Sequence, residues 1–457
     1  MGPADPDGGN RLTTGSWRAG CGGSRTSGSG SGPEKRIGSD ADTALRPDST
    51  NRLLQLDGAN VTDVVIGADT VTVEVRLRRR RLVCPECDFT TRARYDTRPV
   101  VSSWRHLRLG AHRLVVRARL RRLACPDHGV RVEGVDFARP GARFTRDFEQ
   151  LVAWLATKMD KDALRRLVGI DWDTVGRICD RVVADELDPG RLDGLFNMGV
   201  DEVSWKRHHN YMTLVVNHDS NKVIWGAEGR DAKTLDSFFD ELGAARSGQI
   251  EAVSMDMGPA FRKSVTTHAG QATICFDPFH VVKVGTDALN TVRRDIWQQL
   301  RQLPDPDIAR KFKGARWALL KNPEDLTDRQ AATLTVIRRH GGALWRAYRL
   351  KEALRAIFAG DLTDDEVAEP IDRWCAWAQR SRLQPFVKAA RTIRKHRDGI
   401  LAAIRLGLSN ARLEGLNQPV ALIVRRAFGF HSARAALALV MLSAGPINLT
   451  LPWEKPA

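Results

Sequence analysis

The chain has 457 residues and a formal net charge of +16, from 71 basic against 55 acidic side chains. That length exceeds one ordinary core, because domains run to roughly 100–200 residues, so several domains are expected. With 42% hydrophobic and 28% charged residues, no apolar run near ~20 residues and no apolar N-terminal leader, the composition argues against a membrane-spanning or secreted protein and for a cytoplasmic one.

Residues 1–48 are dominated by Gly, Ser, Asp and Pro, as in Gly28-Ser29-Gly30-Ser31-Gly32, and are expected to be a disordered low-complexity tail. From Val71 the alternation Val71, Val73, Val75, Leu77 predicts a half-buried strand leading into Cys84-Pro85-Glu86-Cys87. A second strand pattern, Leu114, Val116, Ala118, Leu120, ends at Cys125-Pro126-Asp127-His128. Between Arg76 and Arg146 there are 19 Arg, no Lys and six acids, a net +13 that holds most of the chain's excess charge. A localised Arg field is the footprint of a polyanion binder, although a merely solvated basic face would give the same count.

Cys84-x-x-Cys87 and Cys125-x-x-His128 each follow a strand and carry Pro after the first Cys. Two such pairs match a closed tetrahedral Zn²⁺ site in a zinc ribbon, structural because protein fills all four positions. His106 and His112 are alternatives to His128 but lack the paired spacing. The other four of the seven cysteines are scattered, so no disulfide framework is read.

Residues 145–187 switch to helical period through Phe148, Leu151, Val152 and Leu155, then Leu164, Leu167 and Val168. Gly169 breaks this pattern, and Val175, Ile178, Cys179 and Val182 resume it. Lys161–Val168 followed by Trp172–Val183 has the layout of a helix-turn-helix, with Asp171 or Asp173 as cap and Thr174, Arg177 and Arg181 on one side of the second helix. Helix pairs around a Gly turn are common, so this pattern gains weight from the basic ribbon beside it.

Strands are predicted at Met198–Val203, Tyr211–Val216, Val223–Ala227, Ile250–Met255 and Gln271–Phe276, with a helix over Asp231–Leu242. Residues 283–400 read as helical, with Trp297, Trp317, Trp345, Trp374 and Trp377 expected in the core. Asn410–Leu442 reads as helix broken at Gly429. Asp201 and Glu202 interrupt an apolar strand, Asp256 falls at the end of another, and Glu414 opens an apolar helix. A carboxylate buried in such a strand is costly unless a metal or proton meets it. Two Asp and a Glu can together hold two divalent cations about 3.5–4 Å apart for in-line phosphoryl displacement, with Mg²⁺ or Mn²⁺ suited to hard oxygen ligands. Taken singly, each acid reads as a cap or turn residue.

The ordered set Cys84-Pro-x-Cys87, the basic ribbon, Gly199-Val-Asp201-Glu-Val-Ser204, Met255-Asp256-Met257, Phe276-Asp277-Pro278-Phe279-His280-Val-Val-Lys283, Asn410-Ala-Arg-Leu-Glu414-Gly-Leu-Asn417 and Arg425-Arg426-Ala-Phe-Gly-Phe430 resembles the DDE transposases of bacterial insertion sequences, of the ISL-three-type group. The resemblance runs from about Leu53 to Leu451. It departs from the family pattern at His128, where Cys is commoner, and at Pro278, where a basic residue is usual.

The resemblance implies a multidomain α/β protein with a ribonuclease-H-like catalytic core interrupted by an all-helical insertion. The expected order is a tail (1–48), a zinc-ribbon DNA-binding domain (49–140), a helix-turn-helix (141–190), the first part of the core (191–290), the insertion (291–395) and completion of the core with the Glu helix (396–457). It implies Asp201, Asp256 and Glu414 as the Mg²⁺-binding catalytic triad, with Asp277 and His280 beside it and His280 in a supporting role. Double-stranded DNA is the implied partner, both terminal inverted repeats and target. Its contacts are expected from Arg113, Arg117, Arg119, Arg121, Arg122, Thr174, Arg177, Arg181, Arg425 and Arg426. A homo-oligomeric synapse, and nucleoid association when bound, follow from joining two ends. Two rivals remain: a non-catalytic zinc and helix-turn-helix regulator, and a structure-selective nuclease on the same core.

Overall fold

The computed structural model describes residues 46–454, apart from 207–209, 303, 305–311, 313, 361, 409–419, 421, 424–429 and 431. Helix α1 (Pro47–Leu54) begins inside the segment expected to be unstructured, with Pro at its first turn where a missing N–H costs nothing. Strands β1 (Ala59–Ile66) and β2 (Thr70–Leu77) form an antiparallel hairpin. The β1 strand was not anticipated, since exposed Val65 and Ile66 blur its alternation.

Short strands β3 (Leu82–Val83), β4 (Thr90–Thr91) and β5 (Asp96–Thr97) follow, then β6 (Ser102–Arg105), β7 (Arg113–Ala118), β8 (Arg121–Cys125) and β9 (Gly129–Val132). One sheet has the order β1-β2-β7-β6, a second β5-β8-β9, and a third pairs β3 with β4. The pattern expected to run unbroken from Leu114 to Cys125 is therefore two strands. The break after Ala118 lets β8 leave the first sheet for the second. Val71, Val73, Val75, Leu114, Val116 and Trp104 close the first core, with Trp104 edge-on to Phe137 at 5.1 Å.

Helices α2 (Arg146–Lys158), α3 (Lys161–Val168) and α4 (Trp172–Glu186) follow the helical periodicity. Thr145 and Asp160 cap the first two through Phe148 N and through Asp162 N and Ala163 N. Gly169 ends α3 at φ 62°, a left-handed conformation that glycine adopts without strain. Asp171 sits at the α4 N-cap, but its Oδ2 takes the Thr174 hydroxyl at 3.3 Å rather than a backbone N–H. Leu167, expected in the core, is 56% exposed.

The central sheet comprises β10 (Asn197–Lys206), β11 (Asn210–Asn217), β12 (Lys222–Glu228), β13 (Ala252–Met255) and β14 (Thr273–Phe276) in the order β12-β11-β10-β13-β14. The pairs β12/β11 and β11/β10 are antiparallel, while β10/β13 and β13/β14 are parallel. Met198, Val200 and Met255 face a layer containing α5 (Ala232–Leu242), α7 (Pro259–His268, after the single turn α6, Ala244–Ser247) and α8 (Pro278–Leu300). Met212, Leu214 and Val216 face the other way, onto α2, α4 and the helix Ala433–Ala444.

Beyond α8 come the helices Arg316–Leu320, Asp328–His340, Gly342–Ile357, Asp364–Arg380, Gln384–Lys395 and Arg397–Arg405. Trp374 is buried there and donates Nε1–H to Leu350 O at 2.8 Å. Trp317 and Trp377 are 54% and 38% exposed, so the expectation that all five tryptophans are core fails for these two. No described helix is long and apolar enough to cross a membrane.

Candidate functional site

The carboxylates are positioned by strand register. Gly199 pairs with Ser254 as the last pair of the parallel β10/β13 ladder; Asp201 lies two residues beyond Gly199 in β10, and Asp256 two residues beyond Ser254, the first residue past β13. Across the antiparallel ladder Asp201 pairs with Leu214, so it lies on the face packed against α2, α4 and Ala433–Ala444. Side chains alternate along a strand, so Glu202 takes the opposite face, that of Val200.

Asp256 Oδ1 accepts Gly258 N–H at 2.9 Å, and a Cβ at Gly258 would meet that oxygen at 2.8 Å. Glycine there permits the carboxylate to fold back over the turn. Buried Asp277 caps α8 by accepting Phe279 N–H at 3.1 Å. That cap sets His280 in the first turn of α8, at the same end of the sheet. Burial raises the Glu202 carboxyl above the usual range, and the Asp256 charge adds to it. Arg230 and His280 oppose that rise, and Asp201 supports it. Glu202 thus feels the charges of Asp256, Arg230, Asp201 and His280. Sequence reading passed over Glu202 as a site residue although its Asp-Glu pairing was visible; Arg230, stacked on Tyr211 at 4.5 Å, left no signal.

Glu414 falls outside the described residues, as do Arg425 and Arg426. Val420 and Ile423 are described, and both are buried in the layer that covers the Asp201 face.

Four donors converge in the N-terminal region: Cys84, Cys87, Cys125 and His128 have ligand atoms all within 4.8 Å of one another. Cys87 Sγ lies 3.6 Å from Cys125 Sγ, and His128 Nδ1 lies 3.8 Å from Cys84 Sγ and 3.6 Å from Cys125 Sγ. His128 Nε2 faces Glu86 at 3.9 Å on the side of the ring away from the cysteines. Burial pushes the Cys125 thiol up, but the N–H groups and ring of His128 and the N–H of Asp127 outweigh it and bring it to about 7. His106, by contrast, is buried against Thr145 Oγ1 at 2.7 Å, away from this cluster.

The basic candidates divide by their partners. Arg113, Arg119 and Arg177 are exposed, and Arg177 Nη2 touches Thr174 Oγ1 at 3.2 Å. Arg117 faces Glu74 at 3.3 Å. Arg121 is clasped by nearly buried Glu133 at 2.6 Å, and Arg122 Nε donates to Asp96 at 2.7 Å, holding the Asp96 carboxyl below its usual range. Arg181 donates to the buried carboxylate of Glu149 at 2.9 Å, so its guanidinium turns into the helix pair and away from the exposed side that Arg177 occupies. Arg105, from β6, donates to Val168 O and, at 3.1 Å, to Gly169 O at the turn between α3 and α4. Burial, with Arg113 and Arg108 nearby, pulls its guanidinium down to about 10.

Residues 198–439 match a family model described as "Transposase", of the DDE class of the ISL3 group, and residues 133–183 match the "Helix-turn-helix domain of transposase family ISL3". The chain is 41% identical over 406 residues to the "Transposase for insertion sequence element IS1557" of Mycobacterium tuberculosis (strain CDC 1551 / Oshkosh), covering 84% of this chain and 91% of that protein. It is 28% identical over 367 residues to the "Transposase for insertion sequence element IS1001" of Bordetella parapertussis, covering 79% and 88% respectively. The first match spans over half the chain and includes Asp201 and Asp256, the second includes the helices around Gly169, and together they leave one conclusion: the chain belongs to the ISL3 family of DDE transposases.

Proposed function

We propose that this transposase binds the terminal inverted repeats of its insertion sequence and cleaves and rejoins DNA strands, using Asp201, Asp256 and Glu414 as carboxylate ligands for Mg²⁺ or Mn²⁺. The observation that carries this reading is the parallel β10/β13 ladder, whose last pair, Gly199 with Ser254, stands two residues before Asp201 on one strand and two before Asp256 on the other. The strand order β12-β11-β10-β13-β14, antiparallel on one side of β10 and parallel on the other, supports a ribonuclease-H-like core. On this reading 191–290 begin that core, 291–395 are the helical insertion, and 396–457 complete it.

The hard oxygen donors of the trio fit divalent cations, which when bound supply charge stabilisation at the attacked phosphate. Gly258 N–H holds one Asp256 oxygen and leaves the other available. Water, and later a DNA 3′-hydroxyl, attacks the phosphorus; the bond to the leaving oxygen breaks and that oxygen takes up a proton. His280 supports the site from the first turn of α8, which the Asp277 cap positions.

The four converging Cys and His donors fit a structural Zn²⁺ in a ribbon over 49–140. A tetrahedral zinc with thiolate and imidazole ligands separates its donors by about 3.5–3.8 Å, close to the spacings found. The helix-turn-helix, read over 141–190, would offer Thr174 and Arg177 to a major groove. Arg113, Arg117, Arg119 and Arg122, with Arg425 and Arg426, would position phosphates. Two ends must be joined, so a homo-oligomeric synapse is part of the proposal.

The test is a cleavage and joining assay on labelled DNA carrying the element's ends, with and without Mg²⁺. Asp201→Asn, Asp256→Asn and Glu414→Gln should each lower strand cleavage by roughly 10³-fold while DNA binding survives. Wild-type binding without cleavage in any metal would turn the reading towards a regulator.

A further inference from the structure

A groove of about 710 Å³ opens beside the end of β2, and its walls carry Arg76, Arg78, Arg79, Arg80, Arg119 and Arg121. The residues come from three places far apart in sequence: the end of β2, the loop after it, and the break between β7 and β8. Half of these arginines are committed to the fold. Arg121 is held by Glu133, Arg79 pairs with Asp136, and Arg78 Nε donates to Ala59 O at 3.1 Å and Asn60 Oδ1 at 2.7 Å. Arg76, Arg80 and Arg119 are exposed and have no acidic partner among the described residues. Glu133 is occupied by Arg121, and Glu74 by Arg117, so neither lining acid cancels them.

We propose that this groove is a docking site for the sugar-phosphate backbone of duplex DNA, with Arg76, Arg80 and Arg119 each contacting a phosphate and Arg78, Arg79 and Arg121 shaping the wall. This rests on the DNA-binding reading above and deepens it, because Arg76 and Arg80 lay outside that contact set. The chemistry of the lining selects phosphate over bases. It holds no aromatic ring on which an unpaired base could stack, and no Asn or Gln for amide readout of base edges. Three exposed guanidinium groups lining one groove without an acidic partner suit phosphate oxygens, which a planar guanidinium can meet with two parallel hydrogen bonds. Contacts of this kind set affinity and register without reading sequence.

The experiment measures binding of the full chain to two labelled duplexes, one carrying the element's ends and one of unrelated sequence, between about 50 and 200 mM salt. The triple variant Arg76→Gln/Arg80→Gln/Arg119→Gln should weaken binding at least roughly tenfold on both duplexes and lower the slope of log K against log salt by about 3, near one per lost phosphate contact. A charge-matched control on the helical segment, Arg329→Gln/Arg339→Gln/Arg346→Gln, should keep the wild-type slope. Lysine at the three groove positions should restore most of it. The proposal is overturned if the groove and control triples behave alike, if the loss is confined to the element's ends, or if lysine rescues nothing. Failure of the wild type to bind either duplex would instead bring down the underlying DNA-binding reading.

Discussion

Arg139 Nη1 lies 3.2 Å from Glu149 Oε2, and the two side chains are 2% and 0% exposed. The other Glu149 oxygen takes Arg181 Nε at 2.9 Å, while Arg139 also reaches Asp185 at 2.9 Å and Glu186 at 2.8 Å. A residue from the segment after β9 is thereby locked into α2 and α4. Together with Arg105 on the α3 carbonyls, this fixes the helix pair against the basic sheets.

Removing one partner of a buried ion pair costs roughly 3–5 kcal/mol, because the remaining charge stays buried and uncompensated. Glu149→Ala should therefore lower the melting temperature strongly, and Arg181→Ala should do so less. The double variant should be little worse than Glu149→Ala alone, a coupling that calorimetry on all four proteins reads directly. Arg177→Ala, on the exposed side of the same helix, should leave the melting temperature unchanged. Strict additivity between Glu149 and Arg181 would show that the pair contributes nothing jointly.

The cysteine and histidine cluster should hold one zinc per chain by elemental analysis, and Cys84→Ala/Cys125→Ala should carry none. Structural zinc contributes on the order of 10 kcal/mol or more to small folds. A strong chelator should accordingly speed amide exchange in β3, β4, β8 and β9 and leave β10 to β14 protected. Zinc retained by the double variant would refute the assignment of these ligands.

Burial, with Arg262 and Lys395 nearby, pulls the His396 imidazole below its usual value of 6.5. Its Nδ1 has no hydrogen-bond partner among the described residues, and its ring packs edge-on to Phe276 at 4.6 Å. The fold therefore favours the neutral ring. Below pH about 6.5 the unfolded chain takes up a proton that the folded one resists, so stability falls as pH drops through that value towards the lower folded one. His396→Gln should flatten this part of the melting temperature against pH curve. An unchanged curve would place the acid sensitivity elsewhere.

Much of the helix-turn-helix was legible because its signals are local. Leu164, Val168, Val175, Ile178 and Val182 repeat at helical spacing, and all are buried. Gly169 announces the turn because the required positive φ is cheap for glycine alone. The pairs Cys84/Cys87 and Cys125/His128 were legible for the same reason: each sits within one tight turn. The strands β10 to β14 also declared themselves by apolar runs, whereas β1, with one side open to solvent, did not.

What the sequence determined by itself was most of the helices, the strands β2 and β10 to β14, the two Cys and His pairs and the family to which the chain belongs. Tertiary structure decided which of them meet. A parallel ladder between strands some 50 residues apart ends at Gly199 and Ser254, two residues short of Asp201 and Asp256, and no local period encodes that register. The fate of the arginines was likewise hidden. Arg177 and Arg181 look alike on one helix, yet Glu149, from a helix 32 residues away in the chain, claims one and leaves the other exposed. Periodicity reports how the chain turns on itself over a few residues, whereas ion pairing and burial depend on distances that only packing sets.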